Sequence, residues 1–70
     1  SNDDVRRLQT FIDGVSKAYP SIPAVTINGN FDEQTKEAVS AIQRMYGIPV
    51  SGVAGPVTWG LIINLYNGIE

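Results

Sequence analysis

The 70-residue chain has no cysteine and no histidine, and these two absences remove most of the chemistry a small domain can carry. Without Cys there is no disulfide to support the core, no thiolate metal site and no thiol nucleophile. Compartment stays open on this point, because exported bacterial proteins often use none. Without His the chain lacks the commonest metal ligand and the usual general base near neutral pH. Uninterrupted apolar runs last only a few residues, far short of the ~20 needed to cross a bilayer. Positive charge is scarce too: five Lys and Arg stand against seven Asp and Glu, for a net charge of −2. A nucleic-acid module needs clustered cations facing phosphates. Arg6 and Arg7 are adjacent, but Asp3 and Asp4 precede them, which reads as a solvated and compensated helix start.

What is present is a short motif that occurs twice. Asn28-Gly29-Asn30-Phe31-Asp32-Glu33-Gln34-Thr35 is echoed 23 residues later by Ser51-Gly52-Val53-Ala54-Gly55-Pro56-Val57-Thr58. Each copy runs small polar residue, Gly, two residues, helix start, two residues, Thr. The glycines permit positive φ, so Gly29 and Gly52 are expected to take it. Asp32 can cap the free N–H groups of a helix that begins at Glu33. Gly55 is a tolerable cap, and Pro56 suits a first helical position. A second echo pairs Val5-Arg6-Arg7-Leu8-Gln9 with Val39-Ser40-Ala41-Ile42-Gln43. The chain therefore reads as two helix–loop–helix halves that share the middle helix.

The apolar spacing predicts an all-α fold, a compact three-helix bundle with two equivalent glycine-turn loops. Its helices are expected near residues 3–19, 32–46 and 56–67. In the first, Val5, Leu8, Ile12, Val15 and Tyr19 form one stripe, with Asp3 or Asp4 as the cap and Pro20 marking the end. Gly14 inside this helix suggests close approach by another helix. The second carries Ala38, Ala41, Ile42 and Met45 on one face with Val39 beside it, and Gly47 stops it. The third is expected to turn Val57, Leu61, Ile62 and Leu65 inward. Ile22, Val25 and Ile27 are expected to pin the Pro-containing first loop to the core. The deepest burial is predicted for Leu8, Ile12, Val39, Ile42, Leu61 and Leu65.

The order Val-x-x-Leu-Gln, then Gly-x-Phe-x-x-x-Thr-x-x-Ala-Val-x-x-Ile-Gln-x-x-x-Gly-Ile, then Gly-x-x-Gly-Pro-x-Thr-Trp resembles the peptidoglycan-binding domain-like family, from about Val5 to Leu65. That family comprises three-helix modules attached to bacterial and phage cell-wall hydrolases. The resemblance implies a non-catalytic peptidoglycan-binding module that targets a linked hydrolase, such as an amidase or glycosidase, to its substrate. It implies peptidoglycan and a linked catalytic domain as partners, no nucleic acid, no membrane insertion, a monomer, and an extracellular or wall-associated location. The sequence departs from the family pattern where Asn28 and Ser51 stand in place of Asp, Asp32 in place of Gly and Ile42 in place of Phe. The alternative is a protein-docking or pro-domain-like regulatory module, although related metalloprotease pro-domains use a free Cys that is missing here.

The residues themselves offer no catalytic set. A wall hydrolase needs a zinc site, a Cys–His pair or two carboxylates at defined separation. Asp32 is committed as a cap, and Glu33 and Glu37 lie one turn apart on an exposed face beside Lys36. No catalytic residue, metal ligand or cofactor is therefore assigned. Gln9 and Gln43 are read as anchors for loop backbone groups, and Thr35 and Thr58 as bonding back towards their turns. Trp59 is read either as a core or rim residue or as a platform for a sugar or peptide. The candidate ligand-binding set is Asn28, Asn30, Arg44, Tyr46, Trp59 and Tyr66, a shallow groove of amides, aromatic walls and a cation. The chain is treated as one domain over residues 1–70, excised from a larger protein. Ser1 and Asn2 are read as a cloning remnant.

Overall fold

The computed structural model describes residues 2–69, with the Asn2 side chain outside that description. Three helices follow in order: α1 (Asn2–Ala18), α2 (Glu33–Tyr46) and α3 (Pro56–Gly68). Among the described residues there is no strand, and no helix is long and apolar enough to cross a membrane. The main helix pairing is α1 against α3, with α2 closing the bundle against both.

Local chemistry explains the boundaries. Asp3 and Asp4 lie inside the first turn of α1, where they face its positive end, and are not the cap. The helix gives way to a single turn closed by Tyr19 N–H on Val15 O (3.0 Å) and Ile22 N–H on Tyr19 O (2.9 Å). Asp32 is the N-cap of α2, accepting from Thr35 N–H at 3.2 Å. Gly47 ends α2 in the left-handed conformation, with φ of 68°. Gly55 precedes α3 in extended geometry, with Pro56 in the first helical position.

The core joins Leu8, Ile12 and Val15 of α1 to Ala38, Val39 and Ile42 of α2 and to Ile62 and Leu65 of α3. Ile22 and Val25 seal it from the first loop. Five of the six side chains expected to be deepest are buried, but Leu61 is only partly so. Ile62 takes its place with no exposure, while Val57 is 70% exposed. The inward line of α3 is Thr58, Ile62 and Leu65, and Val57 and Leu61 each sit one residue, about 100°, away from it. Thr58 is drawn in by an amide of α2, and α3 has no charged stripe to reveal its phase. Met45 and Ile27 are also corrections, at 40% and 43% exposure. In α2 the buried position of that turn goes to Gln43, and in the first loop Ile22 and Val25 take the buried positions. Gly14 does mark a close approach: a Cβ there would lie 2.7 Å from Tyr66 Cε1.

Candidate functional site

Each glycine turn is organised by one buried glutamine on the helix that precedes it. Gln9 of α1 is fully buried. Its Oε1 accepts from Asn28 and Gly29 N–H, both at 2.9 Å. Its Nε2 donates to Asn30 O at 2.7 Å, Thr35 Oγ1 at 3.0 Å and Asn28 Oδ1 at 3.1 Å. An amide has two N–H donors, so three acceptors this close share them. Gln43 of α2 repeats the plan. Its Oε1 accepts from Ser51 and Gly52 N–H, both at 3.0 Å. Its Nε2 donates to Val53 O and Thr58 Oγ1 at 3.2 Å and to Ser51 Oγ at 3.3 Å. The backbone presents these groups because Gly29 and Gly52 have φ of 77° and 74°. No buried side-chain nitrogen or oxygen among the described residues lacks a partner. Both glutamines and both threonines are therefore spent on the scaffold.

Asp32 extends the first network. Its Oδ1 accepts from Thr35 N–H and from Thr35 Oγ1 at 3.1 Å. The Thr35 backbone N–H, with the Thr35 hydroxyl and the Asn28 amide behind it, holds its carboxyl below the ordinary value of 3.8. The carboxylate is a structural acceptor at an exposed position, unlike a catalytic acid, whose value burial would raise.

By fixing both loops, the two glutamines bring their tips towards the N-terminal ends of α1 and α3. A cavity of about 320 Å³ opens there. Val5 and Leu8 of α1, Phe31 of the first loop, and Val53, Ala54 and Trp59 of the second loop and α3 line it, with Asp4 as its ionisable member. A neighbouring cavity of about 560 Å³ shares Asp4, Ala54 and Trp59 and adds Arg7, Pro56 and Ile63. Trp59 is braced edge-on by Phe11, with centroids 6.4 Å apart and planes at 85°. Phe31 and Val53 keep 42% and 65% of their surface exposed.

The six candidate residues fall in three places. Trp59 lines both cavities, and Asn30 directly precedes Phe31 with its side chain exposed. Asn28 spends its Oδ1 on Gln9 and on Asn30 N–H at 2.9 Å, and Tyr66 packs on Phe11 with centroids 4.9 Å apart. Arg44 and Tyr46 are exposed in the last turn of α2 and line neither cavity. The candidate set omits Phe31, Val53 and Asp4. Of these, Phe31 carries a signal in the sequence. An apolar residue just before a helix cap ordinarily staples to the fourth helical position. That position is Lys36, so Phe31 has no apolar partner there. In the second copy the same two positions are Ala54 and Trp59, both packed against the core.

The chain belongs to the peptidoglycan binding domain family, whose profile matches residues 1–62. It is similar to a zinc D-Ala-D-Ala carboxypeptidase of Streptomyces albus G, at 39% identity over 66 residues, which make up 93% of this chain and 24% of that protein. The chain thus spans about a quarter of the length of the curated relative it matches. No solved structure matches it. It has no His or Cys to bind zinc, and its described residues hold no group of three or more carboxylates placed for a metal. The family makes it a binding module of the cell wall and not a catalytic domain.

Proposed function

We propose that this module holds a linked, secreted cell-wall hydrolase on peptidoglycan, through the face that carries the two cavities. The supporting observation is the cluster of apolar side chains, exposed Phe31 and Val53 beside half-buried Trp59, held in place by the two glutamine-anchored turns of a peptidoglycan binding domain. The relative, a carboxypeptidase roughly four times the length of the match, supports a catalytic partner elsewhere in the parent chain. Binding works through effective concentration: once the module is seated, encounters between the tethered enzyme and the polymer become intramolecular, and even weak affinity lengthens residence. Within the candidate set, Trp59 and Asn30 are proposed as ligand contacts. Asn28 and Tyr66 support them, and Arg44 and Tyr46 are proposed to lie outside the contact.

The monomeric domain should co-sediment with purified sacculi and release no soluble fragments over long incubation. Affinity should be modest, because a small face buries little area against the cost of ordering. Salt should weaken it only mildly, because a net charge of −2 gives no basic field to screen. Asn30→Ala should weaken sedimentation and Tyr46→Ala should leave it unchanged. A folded domain that fails to sediment with sacculi of several wall types would turn the assignment towards protein docking.

A further inference from the structure

We infer that the paired cavities take the peptide stem of the wall polymer and not its glycan strand. This rests on the peptidoglycan-binding function proposed above and narrows it to one half of the polymer. The first cavity is walled by Val5, Leu8, Phe31, Val53, Ala54 and Trp59, with Asp4 its one ionisable side chain, so a group that settles on it trades water for mostly apolar contact and few hydrogen bonds. A sugar brings several hydroxyls, and each one desolvated without a partner costs ~1–3 kcal/mol. The polar side chains of the two hubs cannot meet them. Gln9 and Gln43 point inward with 0% and 2% exposure, and their amides are saturated by the loops. Thr35 and Thr58 are buried in the same networks. Small apolar side chains such as the methyls of alanine lose nothing in such a cavity and gain contact area. The volume of about 320 Å³ suits a short segment, at the lower end of the ~300–1,000 Å³ range of small-ligand sites.

Charge supports the same occupant. Asp4 stands where the two cavities meet, and Arg7 lines the outer one. An acid and a base on one wall fit a ligand that carries charges of both signs. A wall peptide offers this through its carboxylates and the ammonium of its diamino residue, whereas an N-acetylated glycan strand offers no cation. Exposed pairs of this kind add little affinity and act mainly on register.

The test titrates the ¹⁵N-labelled domain with two soluble probes, alongside sedimentation with whole sacculi. One probe is the tetrapeptide L-Ala-γ-D-Glu-meso-diaminopimelyl-D-Ala, and the other is the N-acetylglucosamine tetrasaccharide. The tetrapeptide should move the Val53, Ala54 and Phe31 amide signals and the Trp59 indole signal, and the tetrasaccharide should not. Val53→Asp puts a hydrated charge into the apolar wall, at an exposed site whose hub contact is backbone, and should weaken tetrapeptide binding about tenfold in a domain that still folds. Arg7→Gln should cost about threefold. Sedimentation with sacculi combined with a silent tetrapeptide, or with tetrapeptide shifts confined to other surfaces, would overturn the inference and leave wall binding intact. The same holds if the tetrasaccharide moves the cavity signals instead. Loss of sedimentation itself would overturn the proposed function beneath it.

Discussion

Around Gln9 the five bonds to the loop and the helix it leads into run from 2.7 to 3.1 Å, and around Gln43 the equivalent five run from 3.0 to 3.3 Å. The first turn is finished by a charged cap, Asp32, which bonds both the N–H and the hydroxyl of Thr35. The second is finished by Gly55, which offers no side chain, and by Pro56, which needs no acceptor. Where each loop leaves its helix-facing residue, Asn28 Oδ1 accepts from Asn30 N–H at 2.9 Å and Ser51 Oγ accepts from Val53 N–H at 3.2 Å. The two turns share a hub, a glycine and a first-position acceptor for the N–H two residues on, and differ in the cap. What the architecture requires is therefore an amide hub, a left-handed glycine and some acceptor at the first position. The family's usual Asp can become Asn or Ser without loss of the turn, because only the ability to accept is used.

The largest expected effect probes the hubs. Gln9→Ala strands the Asn28 and Gly29 N–H groups and the Asn30 carbonyl in or near the core, at ~1–3 kcal/mol for each buried unsatisfied group. A loss on the order of 3 kcal/mol or more is a large part of the roughly 4–10 kcal/mol typical of a chain this size. Gln43→Ala should cost less, because its bonds are longer. Urea midpoints followed by Trp59 fluorescence would rank the two. A hub at residue 43 worth more than that at residue 9 would break the comparison, since hydrogen-bond length would then be a poor guide to the anchoring of these loops.

Next come the glycines, where the two turns should behave alike. Gly29→Val and Gly52→Val should each destabilise by ~1–3 kcal/mol through left-handed strain in a β-branched residue. At Gly52 a Cβ would also lie 2.8 Å from Lys36 Cγ, although that side chain can swing away. Gly47, where an added Cβ would meet nothing within 4 Å, isolates the strain: Gly47→Ala should cost about 1 kcal/mol. Equal melting temperatures for Gly52→Val and the parent would show that the motif glycine is dispensable.

The contrast between the halves also marks what the sequence can and cannot say. The helix ends are legible because single residues fix them: Asp32, Gly47, Pro56 and Pro20 each act through their own backbone chemistry. The hubs are legible because a repeated Gln beside apolar positions has few uses except holding a loop. The phase of α3 is not, because Val57, Leu61, Ile62, Ile63 and Leu65 offer apolar surface nearly all round, and the buried line is marked by a bond from another helix, Gln43 to Thr58. The cavity is legible only through Trp59. Its other walls come from α1 and from both loop tips, and no local pattern joins Asp4 to Phe31 or Val53.

A smaller effect separates the turns by pH. The Asp32 carboxyl is held below its ordinary 3.8, so the folded state binds its proton less readily than the unfolded chain does. That stability is complete above about pH 4 and is lost as pH falls through the lower folded value. Asp32→Asn should keep an acceptor at the cap while flattening this acid limb, seen as a smaller drop in melting temperature between neutral and strongly acidic buffer. An acid limb unchanged in the variant would place the pH dependence on other carboxylates.

The smallest effect transplants the difference. Gly55 has φ of −79° and ψ of −177°, an extended conformation any residue can adopt, and a Cβ there would meet nothing within 4 Å. Gly55→Asp should therefore place a carboxylate where Asp32 stands in the first turn, within reach of Thr58 N–H. Replacing a glycine cap by Asp is worth a few tenths of a kcal/mol, and the reduced freedom of the unfolded chain adds ~0.5 kcal/mol. The capping part of the gain should vanish in acid and leave the unfolded-chain part, because the new carboxyl, like Asp32, would be stabilised in its charged form by the N–H groups it caps. A variant that gains stability equally at neutral and acidic pH would show that only the unfolded-chain effect operates. One that loses stability at neutral pH would mean that the second turn tolerates no side chain at its cap, and that Gly55 and Asp32 are not interchangeable solutions to one problem.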